Sequence, residues 1–169
     1  AYLLYKKADS SGKSFRANRI DAWLHPEENA SGTAYQTMQG LYAIGSGRLF
    51  GVGIGNSKQK YSYIPEAHND FIFAIIAEEL GFVGCIFVIS LFIIFTVRGI
   101  IISMRAKDMF GSLVAIGITS LIAIQAILNI AVVTNSIPNT GISLPFLSYG
   151  GTSLIILLIS VGILLSISK

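Results

Sequence analysis

Three long stretches without a charged residue constrain the fold of this chain more than any other feature. They run over residues 80–97, 112–133 and 152–168. Each is close to the roughly 17 to 25 apolar residues that a helix needs to cross the core of a bilayer. The chain is 53% hydrophobic and only 12% charged, whereas soluble domains carry about 25% charged residues. The sequence therefore predicts an all-α integral membrane protein, a polytopic helical bundle.

The polar residues between these stretches set the predicted topology. Basic residues in short loops stay in the cytoplasm, so Arg98, Arg105 and Lys107 place their loop there and the uncharged loop after the second span on the outer face. The chain starts without a Met or a signal peptide, and we interpret it as a fragment. The predicted segments are the end of a preceding span (1–5), a large extracytoplasmic loop with short helices (6–70), a span (71–97), a cytoplasmic loop (98–111), a span (112–133), an extracytoplasmic loop (134–151) and a span (152–169).

The large outer loop contains one predicted helix followed by a glycine-rich stretch. Apolar side chains at helical spacing predict an amphipathic helix over residues 35–44, which we expect to lie on the membrane surface. The glycine-rich stretch 45–55 follows, with Arg48, Lys58 and Lys60 in or near it. Its backbone could cradle a phosphate or pyrophosphate. The alternative is a flexible turn whose glycines permit close packing on the bilayer.

An ionisable residue, Asp70, stands at the start of the first complete span. A carboxylate there has a hydrated side and a low-dielectric side, which makes it the first candidate for chemistry. At 100° per residue, Ala74, Ala77, Gly81 and Gly84 fall within about 40° of its direction. Such a seam of small residues permits close approach of another helix. We therefore expect Asp70 at the mouth of a groove between helices.

Other polar residues in and beside the spans are interpreted as structural. One of Glu78 and Glu79 could pair with a basic residue on a missing helix, or both could snorkel to the outer interface. Gln125 and Asn129 are four residues apart and suit interhelical hydrogen bonds. The loop 134–151 is irregular yet apolar, so we expect it to dip into the bundle and line a cavity.

Several ordered motifs resemble the SEDS family, which comprises FtsW, RodA and SpoVE. The resemblance covers nearly the whole chain from Arg16 onward and is closer to the FtsW/SpoVE branch. It also contains departures, since the family often has a glycine where Arg48 stands. The motifs are Tyr35-Gln36, the glycine-rich 45–55, Ser57-Lys58-Gln59-Lys60, Pro65-Glu66-Ala67-His68-Asn69-Asp70-Phe71-Ile72-Phe73, Glu78-Glu79-Leu80-Gly81 and the loop 138–151.

The resemblance implies a ten-span enzyme of the bacterial inner membrane, of which this chain would be the large fourth outer loop and the last three spans. Such enzymes are peptidoglycan glycosyltransferases that polymerise lipid II during cell division or sporulation. The family's catalytic carboxylate corresponds to Asp70, and a carboxylate can accept the proton of an attacking sugar hydroxyl. Candidate substrate-binding residues are Arg48, Lys58, Lys60, Glu66, His68, Ser148 and Tyr149. We expect the isolated fragment to be inactive, because the groove would have only one wall.

The expected partners are lipid II, undecaprenyl-linked glycan, membrane lipids and a class B penicillin-binding protein, and no nucleic acid. No soluble cofactor motif is present, and the single histidines His25 and His68 lack the spacing of metal ligands. No metal site is predicted, and a divalent cation has no support in the sequence. Two alternatives stay open. A lipid II flippase would need ionisable groups deep in the bilayer, whereas a scaffold for the penicillin-binding protein would tolerate loss of Asp70.

Overall fold

The computed structural model describes Trp23, residues 33–57 and residues 70–169. The regular elements in this part of the chain are all helices: α1 (Thr33–Gly47), α2 (Ile72–Arg105), α3 (Met109–Val133) and α4 (Gly151–Ile167). They confirm the predicted all-α class. Both α2 and α3 are long and apolar enough to cross a membrane, and α4 is a shorter apolar helix. The predicted preceding span, 1–5, and much of the predicted outer loop lie outside the described residues.

Helix α1 packs alongside the first part of α2 through small residues. Ala43 is fully buried, a methyl group built on Gly40 would lie 3.0 Å from the Phe71 ring, and one built on Gly47 would overlap the carbonyl of Ala77. Residue numbers increase in the same direction along both helices at this contact, so the two helices run parallel. The predicted helix 35–44 is confirmed, but it continues past the glycine at 45. Its expected position on the membrane surface stays a prediction.

Helix α2 is broken at Gly81, whose backbone has φ 68° and ψ −164°. Residues 48–53, which follow α1, form hydrogen bonds with the backbone on both sides of the break. The amides of Val52 and Gly53 donate to the carbonyls of Glu78 and Glu79 at 2.9 and 3.1 Å. In return, the amides of the two residues after Gly81 donate to the carbonyls of residues 48 and 49 at 3.0 and 3.2 Å. Backbone groups that a helix break leaves without partners are thus satisfied inside the protein.

This break corrects the prediction of one continuous helical seam below Asp70. Ala74 and Ala77 are buried as that seam requires, with exposures of 0% and 3%. Beyond them the regular 100° step fails, because Gly81 adopts a left-handed conformation that glycine reaches without a Cβ penalty. Gly81 and Gly84 are nevertheless buried, so the four residues of the predicted seam are all buried although the helix that carries them is broken.

The connection between α2 and α3 is much shorter than the predicted loop 98–111. Helix α2 continues through Arg98 to Arg105, and α3 begins at Met109. Arginine is a good helix former whose charged end can reach water from the end of a span, so basic residues did not mark the end of the helix. Asp108 then caps α3, since its side chain accepts a hydrogen bond from the amide of Gly111 at 2.9 Å.

Helices α2 and α3 pack antiparallel through small and hydroxyl-bearing residues. A side chain on Gly99 would overlap Thr119, which is fully buried. One turn further along α2, the hydroxyl of Ser103 donates to the carbonyl of Ser112 at 3.0 Å. Small residues that allow backbones to approach, with hydroxyl groups bonding across the interface, are typical of helix pairs in membranes.

The loop 134–150 returns into the bundle before α4 begins. Leu144 is 1% exposed, and the ring of Phe146 contacts that of Phe95 on α2 edge to face, with centroids 6.1 Å apart. A cavity of about 200 Å³ lies between this loop, α3 and α4, and Ile122 and Gln125 of α3 line it. Since Gln125 precedes the end of α3 by eight residues, the loop descends roughly 12 Å at 1.5 Å per residue. The expected dip and cavity are observed.

Candidate functional site

Asp70 lies in the turn that leads into α2 and is partly buried. The residue after it, Phe71, is the N-cap of the helix and is 1% exposed, so the ring anchors this turn in the protein. The N-terminus of a helix carries a partial positive charge that stabilises a nearby carboxylate. The carboxylate of Asp70 therefore lies at the positive end of α2, beside an apolar core.

Asn129 ties this turn to the rest of the bundle. Its side-chain amide donates to the carbonyl of Asp70 at 2.9 Å and to the carbonyl of Ile142 at 2.7 Å. Asn129 is fully buried, and its side-chain oxygen has no hydrogen-bond partner within the described residues. One side chain of α3 thus fixes the backbone on both sides of the site, the start of α2 and the loop 134–150.

The loop 134–150 approaches the carboxylate of Asp70 through a glycine. A methyl group built on Gly141 would lie 3.3 Å from Oδ2 of Asp70, and Gly141 has φ 67°. The side chain of Asn139 shapes this turn by accepting a hydrogen bond from the amide of Gly141 at 3.0 Å. The loop backbone thus forms one wall beside the carboxylate without presenting a side chain to it at this point.

The two glutamates of α2 are in different environments. Glu78 is 3% exposed and accepts a hydrogen bond from the hydroxyl of Ser57. The interpretation in which both glutamates snorkel is therefore wrong for Glu78, because its carboxylate is held inside the protein. Glu79 has a buried carboxylate oxygen that finds no partner in the described part of the chain. Its pairing with a basic residue on another helix stays a prediction.

Three backbone amides in the middle of the glycine-rich stretch are already used in hydrogen bonds within the protein. The amides of Gly51, Val52 and Gly53 all donate to backbone carbonyls, the first to that of Gly47 at 2.7 Å and the others to α2. These three amides are therefore not available for a phosphate. The glycines permit close approach, as the alternative interpretation held, but to a helix of the protein rather than to the bilayer.

Arg48 is not adjacent to Asp70 along the chain's path. Its carbonyl bonds to the amide of Phe82, so the helical stretch 72–80 separates its backbone from Asp70. That stretch is roughly 13 Å long at 1.5 Å per residue. The side chain of Arg48 is exposed. A contact between Arg48 and a pyrophosphate stays a prediction, and it would lie deeper along α2 than the carboxylate.

The remaining candidate residues fall into three groups. Ser148 accepts a hydrogen bond from the amide of Leu144 at 2.7 Å and so holds the turn of the loop, whereas Tyr149 is 84% exposed. Gln125 makes no hydrogen bond within the described residues and lines the cavity beneath the loop.

Among the described residues no group of three or more His, Cys, Asp or Glu could hold a metal ion. The candidates outside the described residues are Lys58, Lys60, Glu66 and His68.

The structure adds contacts around Asp70 that the sequence did not specify. The pairing of Asn129 with two main-chain carbonyls was not predicted, since the spacing with Gln125 indicated only a bond between helices. Gly141 was not assigned a role, although the sequence Asn139-Thr140-Gly141 is the signal of a turn closed by an asparagine side chain. Together they frame a partly buried carboxylate that can accept a proton from a bound hydroxyl.

Replacing Asn129 with leucine should destabilise the protein and disturb the position of Asp70. The substitution preserves approximate size but leaves the carbonyls of Asp70 and Ile142 without their donor. An unsatisfied buried carbonyl costs about 1 to 3 kcal/mol, so the free energy of unfolding should fall by at least this amount. Thermal unfolding in detergent measures it. The matched control is Gln125→Leu on the same helix, and an equal loss in the control would contradict the role of Asn129.

Comparison with known proteins places these features in a context. The chain matches the FtsW/RodA/SpoVE family, described as cell cycle protein, over residues 5–169. It is 53% identical over 92% of its length to stage V sporulation protein E of Bacillus subtilis, and 52% identical over 92% to a probable peptidoglycan glycosyltransferase FtsW of Trichlorobacter lovleyi. The matches span 42% and 41% of those relatives.

A solved structure is also similar to this chain. It concerns the structural coordination of polymerization and crosslinking by a peptidoglycan synthase complex. The matching chain superposes with a TM-score of 0.71 at 25% identity, over 99% of the present chain and 46% of its own length. The arrangement of helices described above is therefore one already found in a peptidoglycan synthase complex.

Proposed function

The chain belongs to the FtsW/RodA/SpoVE family, and from this premise we propose that it forms part of a peptidoglycan glycosyltransferase that polymerises lipid II. The observation that carries the proposal is the setting of Asp70. Its carboxylate lies at the start of α2, next to the backbone of Gly141, and Asn129 holds its main chain. The curated relative from Trichlorobacter lovleyi is named as a probable enzyme of this class.

In the proposed reaction, a sugar hydroxyl of one lipid-linked chain attacks the anomeric carbon of another. The bond from the hydroxyl oxygen to that carbon forms while the bond from the carbon to the phosphate oxygen breaks. The leaving undecaprenyl pyrophosphate takes the electron pair, and Asp70 accepts the proton of the hydroxyl. General base catalysis by a positioned carboxylate contributes typically about 10² to 10⁴-fold to such a step.

The surroundings of Asp70 suit this role because they combine rigidity with access. The turn is anchored by the buried ring of Phe71 and by Asn129, whereas Asp70 itself is only partly buried. A carboxylate fixed in position pays little reorganisation cost when the proton moves. We further propose that Lys58, Lys60, Glu66 and His68, which precede it in sequence, contact the substrate.

The proposed enzyme works in a membrane and with a partner. The lengths and apolar composition of α2 and α3 fit two spans, and we place the Asp70 end at the outer face of the bacterial inner membrane. A peptidoglycan synthase complex contains a chain with this fold. We propose a class B penicillin-binding protein as the partner, which would crosslink the strands that this enzyme makes.

The function is tested by supplying purified lipid II to the complete protein, of the length of its relatives, together with its partner. Glycan strands longer than the starting disaccharide, resolved on a gel, are the expected product. Movement of labelled lipid II across vesicles without polymerisation would favour a flippase instead. Neither activity, with partner binding intact, would favour a scaffold. Residues 1–169 expressed alone should give no strands, and strands from this piece would contradict the requirement for the remaining spans.

A further inference from the structure

A second cavity, of about 470 Å³, lies at the end of the bundle opposite Asp70. We name it the basic cavity, because four of the residues that line it are Arg98, Arg105, Lys107 and Lys169. None of its lining residues is acidic. It is formed where the ends of α2 and α4 meet, so it shares no residue with the site around Asp70. On the predicted topology it faces the cytoplasmic leaflet.

Two of the four basic residues, Arg98 and Arg105, lie on the same face of α2. Arg98 and Arg105 are seven residues apart on α2, a spacing that puts both side chains on one stripe of the helix. Arg98 lies roughly 10 Å nearer the middle of the bundle at 1.5 Å per residue. Basic residues that serve only to orient a span need no shared face. Both arginines and Lys107 line the same cavity, so a single anion there could contact more than one of them.

The charges of the basic cavity are not neutralised by the described part of the protein. None of its four basic side chains makes a hydrogen bond or ion pair with a described residue. The nearest acidic residue in sequence, Asp108, accepts a hydrogen bond from the amide of Gly111 and so caps α3. All four basic residues are exposed, so an anion that enters the cavity from solvent or from the bilayer surface can reach them.

Apart from Ser168, the rest of the lining is apolar, which favours a ligand that has a hydrocarbon part. Ile102, Val161 and Leu165 form walls beside the basic side chains. A small soluble phosphate would gain nothing from these walls, whereas a lipid presents a phosphate and hydrocarbon together. Basic pockets between spanning helices on the cytoplasmic side suit anionic lipid headgroups. We propose that the basic cavity binds the headgroup of one anionic glycerophospholipid, such as phosphatidylglycerol or cardiolipin.

The proposal is tested by native mass spectrometry of the complete protein in detergent with added lipid. Phosphatidylglycerol should bind in preference to phosphatidylcholine with the same acyl chains. The double variant Arg98→Gln, Arg105→Gln should weaken phosphatidylglycerol binding by about tenfold or more. The matched control is Arg19→Gln, which removes a positive charge from the predicted outer loop and should leave phospholipid binding unchanged. Lys107→Gln, in the exposed connection after α2, gives a milder variant should the double variant fold poorly, and it should also weaken binding.

Three outcomes would overturn the proposal. Equal binding of the two phospholipids would show that the headgroup charge is not recognised. A loss in the Arg19→Gln control equal to that of the double variant would show that positive charge anywhere on the protein attracts the lipid, without a specific site. Glycerol phosphate, tested at the same concentration, should neither bind nor compete, and effective competition by it would assign the cavity to a soluble phosphate. None of these results bears on the polymerase activity, so failure here leaves the proposed function untouched.

Discussion

The Asp70→Asn variant of the complete protein should lose polymerisation of lipid II by about 10² to 10⁴-fold while it folds normally. An amide has nearly the shape of a carboxylate but cannot accept the proton of an attacking hydroxyl. The contact from Asn129 goes to the main-chain carbonyl of Asp70, which the substitution leaves in place. The initial rate of strand formation, measured at equal amounts of folded protein, gives the result. The thermal midpoint should change little.

A second substitution of the same kind serves as the control for this prediction. Asp108 is also an aspartate before a helix, but its carboxylate caps α3 at the other end of the bundle. Asparagine caps helices about as well as aspartate, so Asp108→Asn should retain both stability and polymerisation. A similar loss of activity in the two variants would mean that removal of any helix-terminal charge impairs the protein, and the specific role of Asp70 would be lost.

The Gly81→Ala variant should destabilise the protein by about 3 kcal/mol or more. At φ 68° and ψ −164° an alanine would occupy a region of backbone conformation that essentially only glycine enters. Its methyl group would also overlap the amide of Gly51 and the carbonyl of Leu49. The clash involves backbone atoms on the facing segment, so no side-chain rotation relieves it. The hydrogen bonds between residues 48–53 and the two sides of the break in α2 would have to lengthen or be lost.

Thermal unfolding and the yield of folded protein measure this effect, with Gly117→Ala as the control. Gly117 lies within α3, and a methyl group built there meets nothing within 4 Å. Alanine favours a helix over glycine by about 1 kcal/mol, so the control should be neutral or slightly stabilised. Equal stability of the two variants would contradict the account of the break at Gly81.

The sequence predicted those features that depend on local composition. Apolar stretches as long as a bilayer is thick must form helices, because water is absent there to satisfy the backbone. The same reasoning identified the loop 134–151 as irregular backbone that needs support from the bundle. The motif ending in Asp70 located the candidate carboxylate. Each of these features is specified by a segment of about twenty consecutive residues or fewer, so it can be recognised without knowledge of the tertiary structure.

The features that the sequence did not predict depend on contacts between distant segments. Glycine also occurs inside an unbroken helix of this chain, at Gly117 in α3, so Gly81 by itself does not indicate that α2 breaks there. The groups that satisfy the break come from residues 48–53. The end of α2 was placed too early because Arg98 was treated as a loop residue, although a long basic side chain can extend from a helix to water. The hydrogen-bond partners of Asn129 likewise lie far from it in sequence, and they depend on how α3 packs beside Asp70 and the loop 134–150.

The most direct test of the central claim is the dependence of the polymerisation rate on lipid II concentration for Asp70→Asn. The claim is that this carboxylate takes part in the chemical step rather than in binding or folding. The account predicts that kcat falls by about 10² or more while KM stays within a few-fold of the wild-type value. A variant with wild-type kcat, or one whose loss lies entirely in a raised KM, would contradict it.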